Sequence, residues 1–466
     1  MERLARSLLE RPDAVKRQAG QLRAEGHQRH CVNRSRIVRP TMELGDFDPH
    51  ATALRLLRND APATIMGAPE DWPRWDVLLP HVLAVTDKAG GPDHLSLPGP
   101  GGEQAVRDCS WLLDHAAVFL RVHGRPGEAR PLAERALAIA EAVYGPDHPS
   151  IGTALSNLAH ILRDLGQLAD ARRLAERALA IAEAARGPDH PDVGADLSNL
   201  AGILAELGEL ADARRLAERA LAIVEAVYNP DHPDVGTALS NLALIMQDLG
   251  ELADARSMNE RALAIDEAAY GPDHPDVGTD LSNLAGILRD LGELADARSM
   301  IERALAIAEA AYGPDHPTVG IHLNNLALIQ KDLGELPDAR RLTERALVIV
   351  EAAYGPDHPT VGTRLSNLAL ILQDLGELPD ARRLTERALA IDEAAYGPDH
   401  PDVGTDLGIL AVILQDLGEL ADALRLAERA LVIVEAAYGP DHPAVGVARS
   451  NLASLQRKRS RAPLRE

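Results

Sequence analysis

The chain has 466 residues, a net charge of −23, and 46% hydrophobic residues but only 3% aromatic ones. So acidic a polypeptide disfavours nucleic acid and anionic membrane surfaces and would attract cationic partners. No apolar run approaches membrane-spanning length, the first residues lack a signal-peptide stretch, and Cys31 and Cys109 fit no metal or redox spacing, so a soluble, cytoplasmic protein with no metal or cofactor is expected.

Residues 1–100 do not repeat. Apolar spacing predicts helices near 2–24, 50–59 and 72–88. A Gly/Pro-rich stretch at about 90–102 then predicts a hinge or linker.

From Tyr144 onward an eight-residue punctuation, most often Tyr-Gly-Pro-Asp-His-Pro-x-Val, returns every 42 residues. Its histidines are His148, His190, His232, His274, His316, His358, His400 and His442, with no insertion or deletion between copies. A fixed period of this size predicts one supersecondary unit stacked on copies of itself. In the copy starting at Pro149, the proline suits the first turn of a helix, with Asp147 or His148 near its cap. Ile151, Leu155, Leu158, Ala159 and Leu162 follow at helical spacing, and Gly166 stops the helix in a left-handed conformation. A second helix is predicted from about Leu168 to Ala185, with Leu168, Ala171, Leu174, Ala175, Ala178, Leu179 and Ile181 inward, ended by Gly187-Pro188. Leu158, Ala159, Ala171 and Ala178 recur in every full copy, which predicts close helix crossings. Asp170–Arg173 and Arg172–Glu176 have the spacing of a solvated outer face. The expected organisation is an all-α chain: a non-repeating helical region over 1–100, a degenerate first repeat over 103–148, seven repeats over 149–442, a capping helix over 443–458 and a basic, disordered tail over 459–466.

The residues at Leu158, Ala159, Gly166, Ala171 and Ala178 match the signature positions of the tetratricopeptide repeat. The 42-residue period, the Leu-Ser-Asn-Leu-Ala run from Leu155 to Ala159 and the Gly-Pro-Asp-His-Pro linker resemble the repeats of kinesin light chains, over residues 107–458. The resemblance implies a right-handed α-solenoid that binds a protein or peptide in its concave groove. The segment from Asp71-Trp72-Pro73-Arg74-Trp75 to Leu83 resembles the region preceding the repeats in bacterial NB-ARC proteins of the STAND ATPase type. Such proteins need a Gly-x-x-x-x-Gly-Lys loop, yet none of Lys16, Lys88, Lys331 and Lys458 follows a glycine. That resemblance implies a sensor arm lacking its own ATPase module, as the alternative to a free-standing adaptor.

Evenly spaced histidines cannot converge on one ion, so the linker histidines read as loop and cap residues. The tyrosines that precede them read as packing under the linker. By the same resemblance, Asn157, Asn199, Asn241, Asn283, Asn325 and Asn367 face the groove, where an amide can bond an extended peptide or form a ladder between neighbouring helices. Ile409 breaks that series, with Gly408 beside it. Next along lie His160, Leu244, Leu328 and Leu370, interspersed with Gly202, Gly286 and Val412, as a mainly apolar floor. Arg163, Gln247, Arg289, Lys331 and Gln373 come next, with Ala205 interrupting. Beside them runs an acidic row, Asp164, Glu206, Asp248, Asp290, Asp332, Asp374 and Asp416. A carboxylate in the last turn opposes the helix dipole at about 0.3–1 kcal/mol, so the row predicts either pairing with an arginine such as Arg163 or Arg172, or an acidic wall for a cationic or amphipathic peptide. No nucleophile–base pair, metal cluster or phosphate loop is evident, so an enzyme is not expected.

Overall fold

The computed structural model describes residues 48–65, 71–88, 102–440 and 442–461. The helix expected over 2–24, most of the expected linker and the end of the expected tail lie outside them. Among the described residues there are α-helices and one 3₁₀ turn, and no strand. The chain divides into two compact units. One comprises residues 1–119 and 131–154, the other residues 120–130 and 155–466.

The first unit contains α1 (Pro49–Asp60), α2 (Trp72–Lys88) and most of α3 (Gly102–Val122) and α4 (Pro126–Tyr144). Asp48 caps α1 by accepting from the His50 amide at 2.8 Å, with Pro49 in the first turn. All three tryptophans of the chain lie here. Trp75 is fully buried and packs on Trp111 and Phe119, with ring centroids 6.5 and 6.0 Å away. The Arg58 guanidinium sits 3.4 Å above the Trp111 ring. The indole N–H groups of Trp72 and Trp75 donate to the Ile65 and Pro62 carbonyls, so these amphipathic rings are buried with their polar edges satisfied.

In the second unit the hairpin period is regular. First helices are α5 (Gly152–Asp164), α7 (Pro191–Glu206), α9 (Pro233–Asp248), α11 (Pro275–Asp290), α13 (Pro317–Asp332), α15 (Pro359–Asp374) and α17 (Pro401–Leu417). Second helices are α6 (Leu168–Arg186), α8 (Leu210–Val227), α10 (Leu252–Tyr270), α12 (Leu294–Tyr312), α14 (Leu336–Tyr354), α16 (Leu378–Tyr396) and α18 (Leu420–Tyr438). The closing helix α19 runs Pro443–Arg461, three residues beyond the expected cap. Ala159, Ala171 and Ala178 have no exposed surface, as crossing points require. The degenerate copy obeys the same rules: Gly124 has φ +68°, and Ala129 and Ala136 are fully buried.

The histidine, not the aspartate before it, caps each first helix. His190 Nδ1 accepts from the Asp192 amide at 3.2 Å, and His232, His274, His316, His358, His400 and His442 do the same for their helices. The tyrosine four residues earlier stacks on the ring, as in Tyr228–His232 with centroids 4.0 Å apart. At the other end of the helix Gly166 takes φ +69°, and the Gln167 amide returns to the Leu162 carbonyl at 2.8 Å.

The superhelix is wound tightly enough for its successive turns to touch. A proton on Nε2 follows from Nδ1 acting as acceptor, and that second nitrogen reaches across the turn. His316 Nε2 donates to the Val122 carbonyl at 2.9 Å, His358 to Asp164 at 2.7 Å, His400 to Glu206 at 2.9 Å and His442 to Asp248 at 2.6 Å, each over 194 residues of sequence. Beside each bond a linker proline rests on a hairpin glycine. A β-carbon on Gly208 would stand 2.9 Å from Pro401, and one on Gly124 2.5 Å from Pro317.

Candidate functional site

Neighbouring first helices touch one another, whereas second helices touch chiefly first helices, so the first helices line the inner face of the curve. On that face the polar rows bond mainly to each other. The acidic row pairs with the row before it in the preceding repeat: Arg121 with Asp164, Arg163 with Glu206, Gln247 with Asp290, Arg289 with Asp332, Lys331 with Asp374 and Gln373 with Asp416, at 2.6–3.3 Å. Pairing with Arg163 thus holds for Glu206. Arg172 instead joins Glu176 and Glu209 on the outer face.

One rung is missing. The Asp248 carboxylate should meet position 205, which is alanine, and no cationic or amide side chain bonds to that carboxylate among the described residues. Asp248 keeps exposed surface, but crowding by the surrounding protein, together with Asp402, Asp290 and Glu206, pushes its carboxyl up to about 6. The asparagine row also differs along its length. Asn283 and Asn325 donate to Ser240 and Ser282 at 3.1 and 3.2 Å, and Asn367 donates to Asn324, forming the ladder between helices. Asn199 is buried, yet neither polar atom of its side chain has a hydrogen-bond partner among the described residues. Asn157 has a partner, and Asn241 is half-buried.

The floor row varies as its residues suggest. Leu244 is exposed, and Leu328, Leu370 and Val412 are half-buried. Where the row has glycine, the long side chain of the preceding repeat lies over it: a β-carbon on Gly202 would meet the Arg163 guanidinium at 3.1 Å. His160 is held neutral, near 3, by burial and by Arg121 and Arg163.

Sequence reasoning missed a buried polar seam between neighbouring first helices. Ser156 bonds Asp196 and Ser240 bonds Asp280 at 2.7 Å, Ser282 bonds His322 at 3.1 Å, and Ser366 bonds Asp406. Two of these aspartates face a second buried aspartate from the preceding helix, Asp266 against Asp280 and Asp392 against Asp406. Burial raises all four carboxyls, and the neighbouring carboxylate pushes further in each pair, Asp266 on Asp280 and Asp406 on Asp392. The signal was present in the sequence: Asp266 and Asp392 stand where other copies have alanine or valine, each followed by an aspartate in the next helix. Among the described residues no group of three or more His, Cys, Asp or Glu side chains could hold a metal, and no helix is long and apolar enough to cross a membrane.

A curved stack of helical hairpins with first helices inside is a repeat scaffold, a class that acts through protein interaction. A family model described as tetratricopeptide repeat matches residues 108–184, 150–226, 195–268, 234–287, 279–351, 322–394, 363–431 and 405–463, and the chain belongs to that family. No curated protein is similar by sequence. Among solved structures, the putative kinesin light chain nearly identical TPR-like repeats of Podosopora anserina are 25% identical, covering 44% of this chain and 97% of that one, with a TM-score of 0.35. BtubC (BKLC) from P. vanneervenii is 22% identical over 50% of this chain and 92% of its own, with a TM-score of 0.37. A Rap protein complexed with competence and sporulation factor is 14% identical over 75% and 98%, with a TM-score of 0.49. The family match begins at residue 108, so the resemblance of the Trp72–Leu83 segment to NB-ARC proteins gains nothing from it.

Proposed function

We propose that the chain is a non-catalytic adaptor that binds an extended or helical segment of a partner protein along the inner face of its first helices, and that the segment presents a cationic residue to Asp248. The single observation that carries this reading is the missing rung. Six carboxylates of the row are engaged by the repeat before them, while Asp248 faces Ala205. Asn199, on the preceding first helix, has both polar side-chain atoms buried and unbonded, so a peptide backbone reaches its amide only where the first helices part. Leu244, exposed beside Asp248, offers apolar contact. The other groove residues frame the site; their side chains hold the repeats together.

The test selects binders to the full chain from a random displayed peptide library and titrates the enriched peptides by fluorescence anisotropy. Enriched peptides should carry lysine or arginine, and Asp248→Asn should weaken them by about tenfold, as loss of a charge-assisted hydrogen bond implies. Binding should also weaken as pH falls through about 6, where the Asp248 carboxyl takes up its proton. Enriched peptides that bind D248N and wild type equally would remove the reading.

A further inference from the structure

Between Arg186 and Arg449 every arginine but one is paired with a carboxylate. The exception, Arg364 on α15, is also the one buried arginine among the described residues, with 7% of its surface exposed. Its Nε has no hydrogen-bond partner there, and no carboxylate reaches its guanidinium. Burial pushes the group down to about 10, and the Tyr354 phenol favours its charge, so Arg364 is cationic at neutral pH. A buried charge without a counter-charge is costly, and the neighbouring repeats show how the seam leaves it so. Asp196, Asp280, His322 and Asp406, at the equivalent position, each bond the side chain 40 residues earlier. For Arg364 that residue is Asn324, whose carbonyl oxygen accepts from Asn367 at 3.1 Å. Asp280 and Asp406 also lie against Asp266 and Asp392, 14 residues before them, where the Arg364 copy has the buried Val350. Two copies thus set a carboxyl beside a like group, and the copy with the cation has none.

We propose that Arg364 is a binding site for the carboxylate group of a ligand, which supplies the counter-charge that Asn324 and Val350 do not. The planar fork of a guanidinium matches the two oxygens of a carboxylate, and a single negative charge answers a single positive one. A dianion such as phosphate would need a second cation. Arg121, which also acts on Tyr354, is already joined to Asp164. The net charge of −23 further disfavours a dianion. The little surface that Arg364 exposes is reached by a carboxylate at the end of a slim side chain or by a small free acid. This inference does not rest on the Asp248 reading, because Arg364 belongs to the serine seam and not to the acidic row.

Melting of the full chain in sodium acetate, against sodium chloride and sodium phosphate at equal ionic strength, tests the site with the free anion. Acetate at about 100 mM should raise the melting temperature of wild type by about 2 °C over chloride. Arg364→Ala should lose that shift; alanine stands at the equivalent position as Ala154 and Ala238, so the helix accepts it. Val350→Asp supplies a carboxylate from within and should lose the shift as well, while melting no lower than wild type in chloride. A second arm selects binders from a displayed peptide library and titrates them by fluorescence anisotropy with each Asp or Glu exchanged for its amide. An exchange that weakens wild-type binding by at least about tenfold, and Arg364→Ala binding not at all, places the carboxylate on a partner. An acetate shift without that loss makes the ligand a free acid. The proposal is overturned if wild type responds in neither arm, if Arg364→Ala responds as wild type does, if Val350→Asp keeps the full acetate shift, or if phosphate shifts melting more than acetate.

Discussion

Each linker histidine carries two hydrogen bonds on one ring, and a substitution can separate them. In His358 the Nδ1 lone pair caps α15 and the Nε2–H crosses to Asp164. His358→Ala loses both and should destabilise the chain by about 2 kcal/mol in urea unfolding. His358→Asp keeps a cap and should lose only about 1 kcal/mol. Equal losses in the two variants would mean that the crossing bond contributes nothing. Protonation acts on the same ring, because a proton on Nδ1 would face the amide it now accepts from. Burial holds His316 and His322 near 4, below the usual 6.5, so the unfolded chain takes up protons that the fold refuses. Stability should therefore fall as pH drops from about 6.5 toward 4, by about 1 kcal/mol per unit for each group. The aspartate pairs have the opposite sign. Their carboxyls are raised above the unfolded value of 3.8, so their contribution is full in acid and fades as pH rises through neutrality. Asp266→Asn/Asp392→Asn replaces one raised carboxyl of each pair by a neutral amide and should raise the melting temperature at about pH 9 while changing it little at about pH 5. No gain at alkaline pH would show that the pairs do not hold a proton in the fold.

At the level of the helical hairpin, the alanine positions set the distance between helices. Ala262, fully buried where α10 meets its neighbours, leaves no room for a larger side chain. Ala262→Leu should cost about 1–3 kcal/mol by overpacking, whereas the same change at exposed Ala264 on that helix should be close to neutral, as denaturant midpoints would report. This level was the most legible in the sequence, because everything that makes a hairpin (the apolar period, the Gly166 stop, the alanine crossings, the tyrosine under its linker) lies within about 42 residues and repeats. Bonds that cross repeats were legible only in part. The acidic row called for a partner, but that Glu206 takes Arg163 while Asp248 takes nothing depends on the offset of 43 residues between bonded positions, which helix stacking decides. The serine seam passed unread for the same reason, since Ser240 and Asp280 are 40 residues apart and each alone looks like an ordinary polar residue. Asn283 and Asn325 look like groove ligands by position, yet their amides are directed at the preceding serine.

At the scale of the whole repeat unit, the linker histidines have a role that no single repeat contains. A period of 42 residues sets the hairpin but not the pitch of the superhelix, and contact between turns appears only once the array is about four and a half repeats long. Below that length stability should grow by the near-neighbour rule of linear repeat proteins. Above it each added repeat also adds a clasp to an earlier turn, and the array ceases to be one-dimensional. The clasps are individually weak, about 1 kcal/mol each, but they act in parallel along one seam and resist the same motion, extension of the superhelix. His316→Asp/His358→Asp/His400→Asp keeps three caps and opens three clasps. Its helicity should match wild type, its stability should drop by about 3 kcal/mol, and its radius of gyration in small-angle scattering should rise as the pitch relaxes. A radius that does not change would mean that hairpin stacking alone sets the pitch and that the histidines only close helix ends. An increase would make the seam the element that decides how far the inner groove opens, and hence how much of Asn199, Leu244 and Asp248 a partner can reach.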